Sequence, residues 1–212
     1  MVMRAGTLSD TLDQLTVEGE LYSRLDSNKV RCYACGHRCL IFEGQRGICK
    51  VRFNCEGRLF VPHGYTTGLQ SDPVEKKPFF HVLPGANALT FGMLGCDFHC
   101  SYCQNWLTSQ ALRDDAAGVA PHPISDQEVV EAARHFGSRL VVSSYNEPLI
   151  TSEWAGSIFE LAKEAGLTTG FVSNGNATPE VLDYLRPLAD CYKVDLKSMR
   201  QENYRMLGGQ LK

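Results

Sequence analysis

From residue 88 onward the chain alternates between two apolar periods. Runs with strand character fall at 88–94, 139–145, 168–173 and 191–196. Between them, helical spacing of apolar positions predicts helices over 126–136, 153–165 and 179–188. Ser125 stands where an N-cap belongs, Thr178-Pro179 puts proline at a first helical position, and Gly137 and Gly166 lie where C-terminal caps belong. Strands and helices alternating at this spacing predict an α/β fold with a parallel sheet, coiled into a barrel or doubly wound. A short helical stretch over 201–207 and Gly208-Gly209 follow the fourth strand.

Upstream the pattern is different. An opening helix is expected over 8–25, then a loop-rich stretch with short strand-like runs such as 58–61. A connector punctuated by Pro73, Pro78 and Pro84 closes this part. The chain therefore divides into a Cys-rich module with its connector, 1–87, and an α/β unit, 88–212. The connector run from Asp72 to Pro78 reads as a solvated loop, or as lysines that clamp the module or meet an anion.

Composition changes this picture little. The 212 residues are 43% apolar and 21% charged with a net charge of -3, as in ordinary globular proteins. That balance argues against a general nucleic-acid surface or an anionic membrane patch. Residues 1–10 hold no apolar leader core, and no run reaches the ~18 apolar residues of a membrane span. A cytoplasmic protein is expected. In a reducing compartment, nine cysteines read as metal ligands or core residues rather than disulfides.

Their spacing carries the chemistry. Cys96, Cys100 and Cys103 fall in one short loop after the first strand, with the polar spacers Asp97, His99 and Ser101 and with Gly92 and Gly95 beside them. A cubane [4Fe-4S] cluster is commonly held by four thiolates, so three leave one iron open to a ligand. Buried core cysteines or a zinc half-site are the alternatives. A second group, Cys32, Cys35, Cys39 and Cys49, begins with a Cys-x2-Cys-Gly knuckle. It reads as a structural zinc site, a second iron-sulfur cluster or unliganded thiols, with His37 and Cys55 as substitute ligands. In parallel barrels sites form at the carboxyl ends of strands, and each predicted strand here ends in polar residues: the cysteine loop, Ser143 to Pro148, Ser173-Asn174-Gly175-Asn176, and Lys193-Val194-Asp195-Leu196-Lys197. On the last strand the lysines and aspartate share one face, and Tyr192, Val194 and Leu196 should face the helices.

The cysteine loop resembles the cluster loop of radical S-adenosylmethionine enzymes. With Cys32 to Cys39, Gly44 to Cys49, Asp72 to Pro78, Gln104-Asn105-Trp106 and Tyr145 to Pro148, the set resembles the AmmeMemoRadiSam-system radical enzyme, a family similar to the pyruvate formate-lyase activating enzymes. The resemblance implies a partial (β/α) barrel, truncated after the fourth strand, because such cores usually hold six strand-helix units. It implies a [4Fe-4S] cluster on Cys96, Cys100 and Cys103 and S-adenosylmethionine on its open iron. It also implies a reduced flavodoxin- or ferredoxin-type electron donor, and a protein or small-molecule substrate. Tyr102 then stands where an aromatic residue packs near adenine. Asn146 and Glu147 match the segment that meets the cofactor's amino group, although Tyr145-Asn146 replaces the usual Gly-Gly. Ser173 and Asn174 match a turn near carboxylate and ribose, and Asp195 and Lys197 match a pair that contacts the carboxylate. Two expectations from different classes follow: a radical enzyme that abstracts hydrogen, as in glycyl-radical activation of a partner protein, and a non-catalytic iron-sulfur or zinc scaffold.

Overall fold

The structure is a computed structural model and describes residues 7–114 and 116–210, so the first six residues of the stretch read for a leader lie outside it. Helix α1 (Leu8–Asp13) opens with a reciprocal capping box between Thr7 and Asp10 and ends two turns later. The helix expected over 8–25 is thus corrected to six residues. The β-branched Thr16 and Val17 enter β1 (Thr16–Glu18) instead, opposite Pro62 and Val61. Gly19 permits that approach, since a Cβ there would meet Val61 at 2.5 Å.

Short antiparallel pieces follow. Strands β2 (Tyr22–Leu25), β3 (Lys29–Cys32) and β4 (Leu40–Ile41) form one three-stranded sheet. In a second, β5 (Phe53–Cys55) and β6 (Arg58–Pro62) join β1 in the order β1-β6-β5. Arg52, fully buried, pairs with Glu153 at 2.6 and 2.8 Å and donates to the Ile150 carbonyl at 3.0 Å, which fastens this region to the helical layer.

Strand β7 (Tyr65–Thr66) leads into β8 (Gly68–Pro73), which pairs antiparallel with β9 (Asn87–Gly92). The main sheet therefore takes in part of the segment read as connector. One apolar residue in β8 had left no alternation to find. Helix α2 (Trp106–Ser109), β10 (His122–Pro123, paired with β7), α3 (Asp126–His135), β11 (Leu140–Ser143), α4 (Ser152–Glu164), β12 (Thr168–Ser173), α5 (Pro179–Leu185), β13 (Cys191–Val194) and α6 (Gln201–Met206) complete the order. The five-stranded sheet runs β13-β12-β11-β9-β8, with β9, β11, β12 and β13 parallel as expected.

Helices α3 and α4 begin and end within two residues of their expected bounds because their signals are local: Ser125 and Glu128 cap reciprocally, and Gly137 and Gly166 adopt positive φ. The core between sheet and helices is an aromatic chain, Trp154 to Phe91 to Phe159 to Phe171, with ring centroids 5.4–6.3 Å apart. The other sheet face is covered by the connector, where Val74 and Phe79 pack on Ala88, Leu140 and Val142. One strand expectation fails in part. Tyr192 stacks on Phe171 toward the core, but Val194 and Leu196 are exposed, because β13 is the outer strand of the sheet and ends at Val194.

Candidate active site at the ends of the parallel strands

β9 leaves the sheet through Met93 and Leu94, both buried, and turns at Gly95 with φ of +93°. A Cβ at Gly95 would stand 2.9 Å from Val51 and 3.1 Å from the Cys49 carbonyl, so only glycine lets the cysteine loop pass this close to the amino-terminal segment. The loop is pinned by Arg113, whose guanidinium donates to the carbonyls of Phe98 at 2.6 Å, Cys96 at 2.8 Å and Ile48 at 2.6 Å. From the other side, Phe98, Tyr204 and Leu207 pack together against Cys96 and Cys100.

Cys96, Cys100 and Cys103 line one cavity of about 300 Å³, and no fourth cysteine among the described residues lines it. The Phe98 N–H points at the Cys96 sulfur at 3.3 Å, and the Ser109 hydroxyl lies 3.3 Å from the Cys103 sulfur. Burial pushes the Cys96 thiol well up, with Asp97 adding to the effect, and burial raises Cys100 also. Buried thiols of this kind ionise on metal rather than in its absence.

The same cavity gathers Tyr102, Asn146, Glu147, Ser173, Asn174, Asp195 and Lys197 from the ends of the four parallel strands. Tyr102 is exposed. Asn146 is committed to the backbone, accepting from Met93 N–H at 3.0 Å. Glu147 accepts from Ser173 Oγ at 2.6 Å, Asn174 N–H at 2.8 Å and Leu149 N–H at 3.1 Å. Burial, and then the neighbouring Asp97, push its carboxyl up to about 8 despite those donors. Among the described residues Glu147 and Asp97 form no ion pair with a basic side chain, although both are buried. Lys197 and Lys193 both pair with Asp195, Lys197 at 2.6 Å.

The chemistry of this donor set fits a cluster with one open position beside a zwitterionic ligand. Three thiols offer three ligands, the buried Glu147 carboxyl has no cation among the described residues, and Lys197, paired with the half-exposed Asp195, brings an ammonium to the same cavity. Among the described residues no three His, Cys, Asp or Glu side chains converge on a point that holds a single metal ion. A cubane asks each thiolate to take a different iron, so it does not require such convergence. Tetrahedral zinc does require it. Cys32, Cys35 and Cys49 are buried and Cys39 half-buried; burial pushes the Cys35 thiol well up, with the charge of Asp97 and then of Cys32 and Cys49 adding to the effect.

Sequence reasoning missed three residues. Asp97, fully buried, accepts from Asn174 Nδ2 at 2.7 Å and Asn176 Nδ2 at 2.8 Å, while its carbonyl meets His37 at 3.1 Å. It ties the cysteine loop both to the end of β12 and to the first knuckle. Arg113 is the second. Lys77, the third, turns inward from the connector to Tyr145 Oη at 2.9 Å, neither solvated as one reading of this loop had it nor, in this structure, clamping the amino-terminal module as the other did. Each has a partner some 65 to 80 residues away in sequence, which no local spacing announces.

The chain is 35% identical over 181 residues to the uncharacterized protein MJ0808 of Methanocaldococcus jannaschii, covering 85% of this chain and 53% of that protein. It is 24% identical over 172 residues to the uncharacterized protein MJ0674 of the same organism, covering 78% and 45%. The chain thus spans about half the length of the curated relatives it matches. The crystal structure of QueE from Escherichia coli aligns with a TM-score of 0.43 at 15% identity, over 64% of this chain and 61% of that one. A family model described as the Radical SAM superfamily matches residues 91–211, which takes in the cysteine loop and every strand end that lines the cavity. Matched over more than half of its length, the chain belongs to the radical SAM superfamily.

Proposed function

We propose that this chain holds a [4Fe-4S] cluster on Cys96, Cys100 and Cys103, binds S-adenosylmethionine beside it, and uses the resulting radical to abstract hydrogen from a substrate. Superfamily membership implies the cluster, the cofactor and radical cleavage. The observation that carries the reading to these residues is the single cavity shared by three thiols, Glu147 and Lys197. Held by Cys96, Cys100 and Cys103, the cluster would supply the one-electron chemistry that cleaves S-adenosylmethionine reductively.

The chain's own residues do the rest. Ser173 and the Asn174 N–H hold Glu147 in place as an acceptor for the cofactor's ammonium. Lys197, released in part from Asp195, donates to its carboxylate. Tyr102 has a free face for the adenine. Phe98, Tyr204 and Leu207 keep water from Cys96 and Cys100. The likeness of the Ser173-Asn174-Gly175 turn and of the cysteine loop to activating enzymes supports a finer reading: hydrogen abstraction from a backbone glycine of a partner protein, with a reduced flavodoxin- or ferredoxin-type donor. Cys32, Cys35, Cys39 and Cys49 as a second metal group, zinc or iron-sulfur, belong to the same proposal and rest on spacing and shared burial.

Anaerobic reconstitution with iron and sulfide tests the first claim. The wild type should gain a cluster whose reduced electron paramagnetic resonance spectrum shifts on adding S-adenosylmethionine, and should release 5′-deoxyadenosine. A Cys96→Ala, Cys100→Ala, Cys103→Ala triple variant that kept the same iron and sulfide per chain would overturn it.

A further inference from the structure

Tyr145 combines features that packing alone does not explain. Its φ is +75°, a left-handed conformation that bulky residues rarely adopt. Its ring lies against Gly92, where an added Cβ would stand 2.9 Å from Cδ2, so the end of β9 is kept bare to admit it. Its phenol is braced from two sides, by Lys77 Nζ at 2.9 Å and Gln70 Oε1 at 3.3 Å. Lys77 is 6% exposed, sits 4.7 Å from the ring centroid, and is itself held by Asp72 at 3.5 Å. The run Asp72 to Lys77, which sequence left without a role, supplies this brace.

The position of the ring gives the brace a purpose. Tyr145, Gln104 and Asn105 line the cofactor cavity and also a second cavity of about 380 Å³ on its flank. The second cavity adds Thr67, Gly68, Gln70, Leu107, Thr108 and Val119, and among the described residues no acidic, basic or histidine side chain lines it. Lys77, behind the Tyr145 ring, is already held by Asp72, so a charged group would meet no lining counter-charge among the described residues, whereas the amides of Gln70, Gln104 and Asn105 offer an uncharged amide donors and acceptors.

Resting on the radical reading above, we propose that Tyr145, braced by Lys77 and Gln70, is a specificity-determining wall between the cofactor cavity and a substrate cavity, and that the latter admits an uncharged amide-bearing group. Such a group occurs in a polypeptide backbone or in a small amide.

The test uses reconstituted holoprotein saturated with S-adenosylmethionine and the neutral probe N-acetylglycinamide, with acetate and ethylammonium as charged counterparts. Reduction makes the cluster paramagnetic, so the proton resonances of a probe held nearby broaden. The neutral probe should broaden and the charged ones should not; equal broadening of all three, or none for the neutral probe, overturns the cavity's assignment. A capped tetraglycine binding at least tenfold tighter identifies a polypeptide source, and equal affinity a small amide. Tyr145→Gly tests the wall, since glycine accepts the positive φ and should leave iron content and circular dichroism intact. In that variant the probe should compete with the cofactor and weaken its apparent affinity at least threefold. Competition equal to that in the wild type would refute a wall. Failure of S-adenosylmethionine to perturb the wild-type cluster would instead strike the radical reading, so the two failures are distinguishable.

Discussion

Glu147 is a buried acid waiting for a cation. With its carboxyl pushed up to about 8 by burial and by Asp97, it must lose a proton to meet the cofactor's ammonium. Affinity for S-adenosylmethionine should therefore rise as pH increases toward 8, by up to about tenfold per unit, and then level off. Isothermal titration between pH 6 and 9 measures this, and Glu147→Gln should flatten the profile. The same shift has an opposite sign for the unliganded fold. A carboxyl raised in the folded state favours folding below its ordinary value near 4.5, and that contribution is lost as pH rises through about 8. Melting of the unliganded protein should thus lose stability over that window, less so in Glu147→Gln. Lys197→Ala should weaken cofactor binding by about 1–3 kcal/mol, the scale of a charge-assisted hydrogen bond, without loss of iron. A drop in iron content would assign Lys197 to holding the loop instead.

Among the elements, the buried pair between Arg52 and Glu153 joins the short strands to α4. Removing one partner of such a pair leaves a buried charge and costs about 3–5 kcal/mol, whereas replacing both with apolar groups is often near neutral. Denaturant unfolding of Arg52→Met should show the larger loss, and the Arg52→Met, Glu153→Leu double variant should recover most of it. What was legible in the sequence divides along similar lines. Helix α3 was readable because Ser125, Glu128 and Gly137 signal its ends within a few residues. Strand β12 was readable because Thr168, Thr169, Phe171 and Val172 have strand character and the turn formers Gly166 and Asn174-Gly175 flank the run. The segment 8–25 was not, because its helical spacing of leucines is overridden by pairing of β1 with a strand more than 40 residues away. At the site, the cysteine spacing and the strand ends were visible, while Asp97, Arg113 and Lys77 act on partners that only the fold brings near.

Across the whole molecule, the first knuckle sits against the turn after β12 and the start of α5. Gly36 N–H donates to the Asn176 carbonyl at 2.7 Å, Arg38 pairs with Glu180, and Thr178 Oγ1 bonds the Tyr33 carbonyl. If the quartet takes a metal, that metal stabilises this contact as well as its own loops. Cys32→Ser with Cys35→Ser should then lower the melting temperature and remove a metal beyond the iron of the cysteine loop. Elemental analysis finding no such metal in anaerobically purified wild type would end the idea.

The order of the main sheet sets a timetable for synthesis. Strands β9, β11, β12 and β13 lie side by side in the order in which they are made, so each docks on its predecessor as it leaves the ribosome. The knuckle follows a different clock. Its partners at Asn176 to Glu180 are translated about 140 residues after it. Until then the knuckle lacks the cover of this segment, and its thiols are more open to oxidation or to the wrong metal. Nascent chains stalled before residue 170 should label rapidly at these cysteines with a thiol reagent, and those stalled well beyond residue 190 should not.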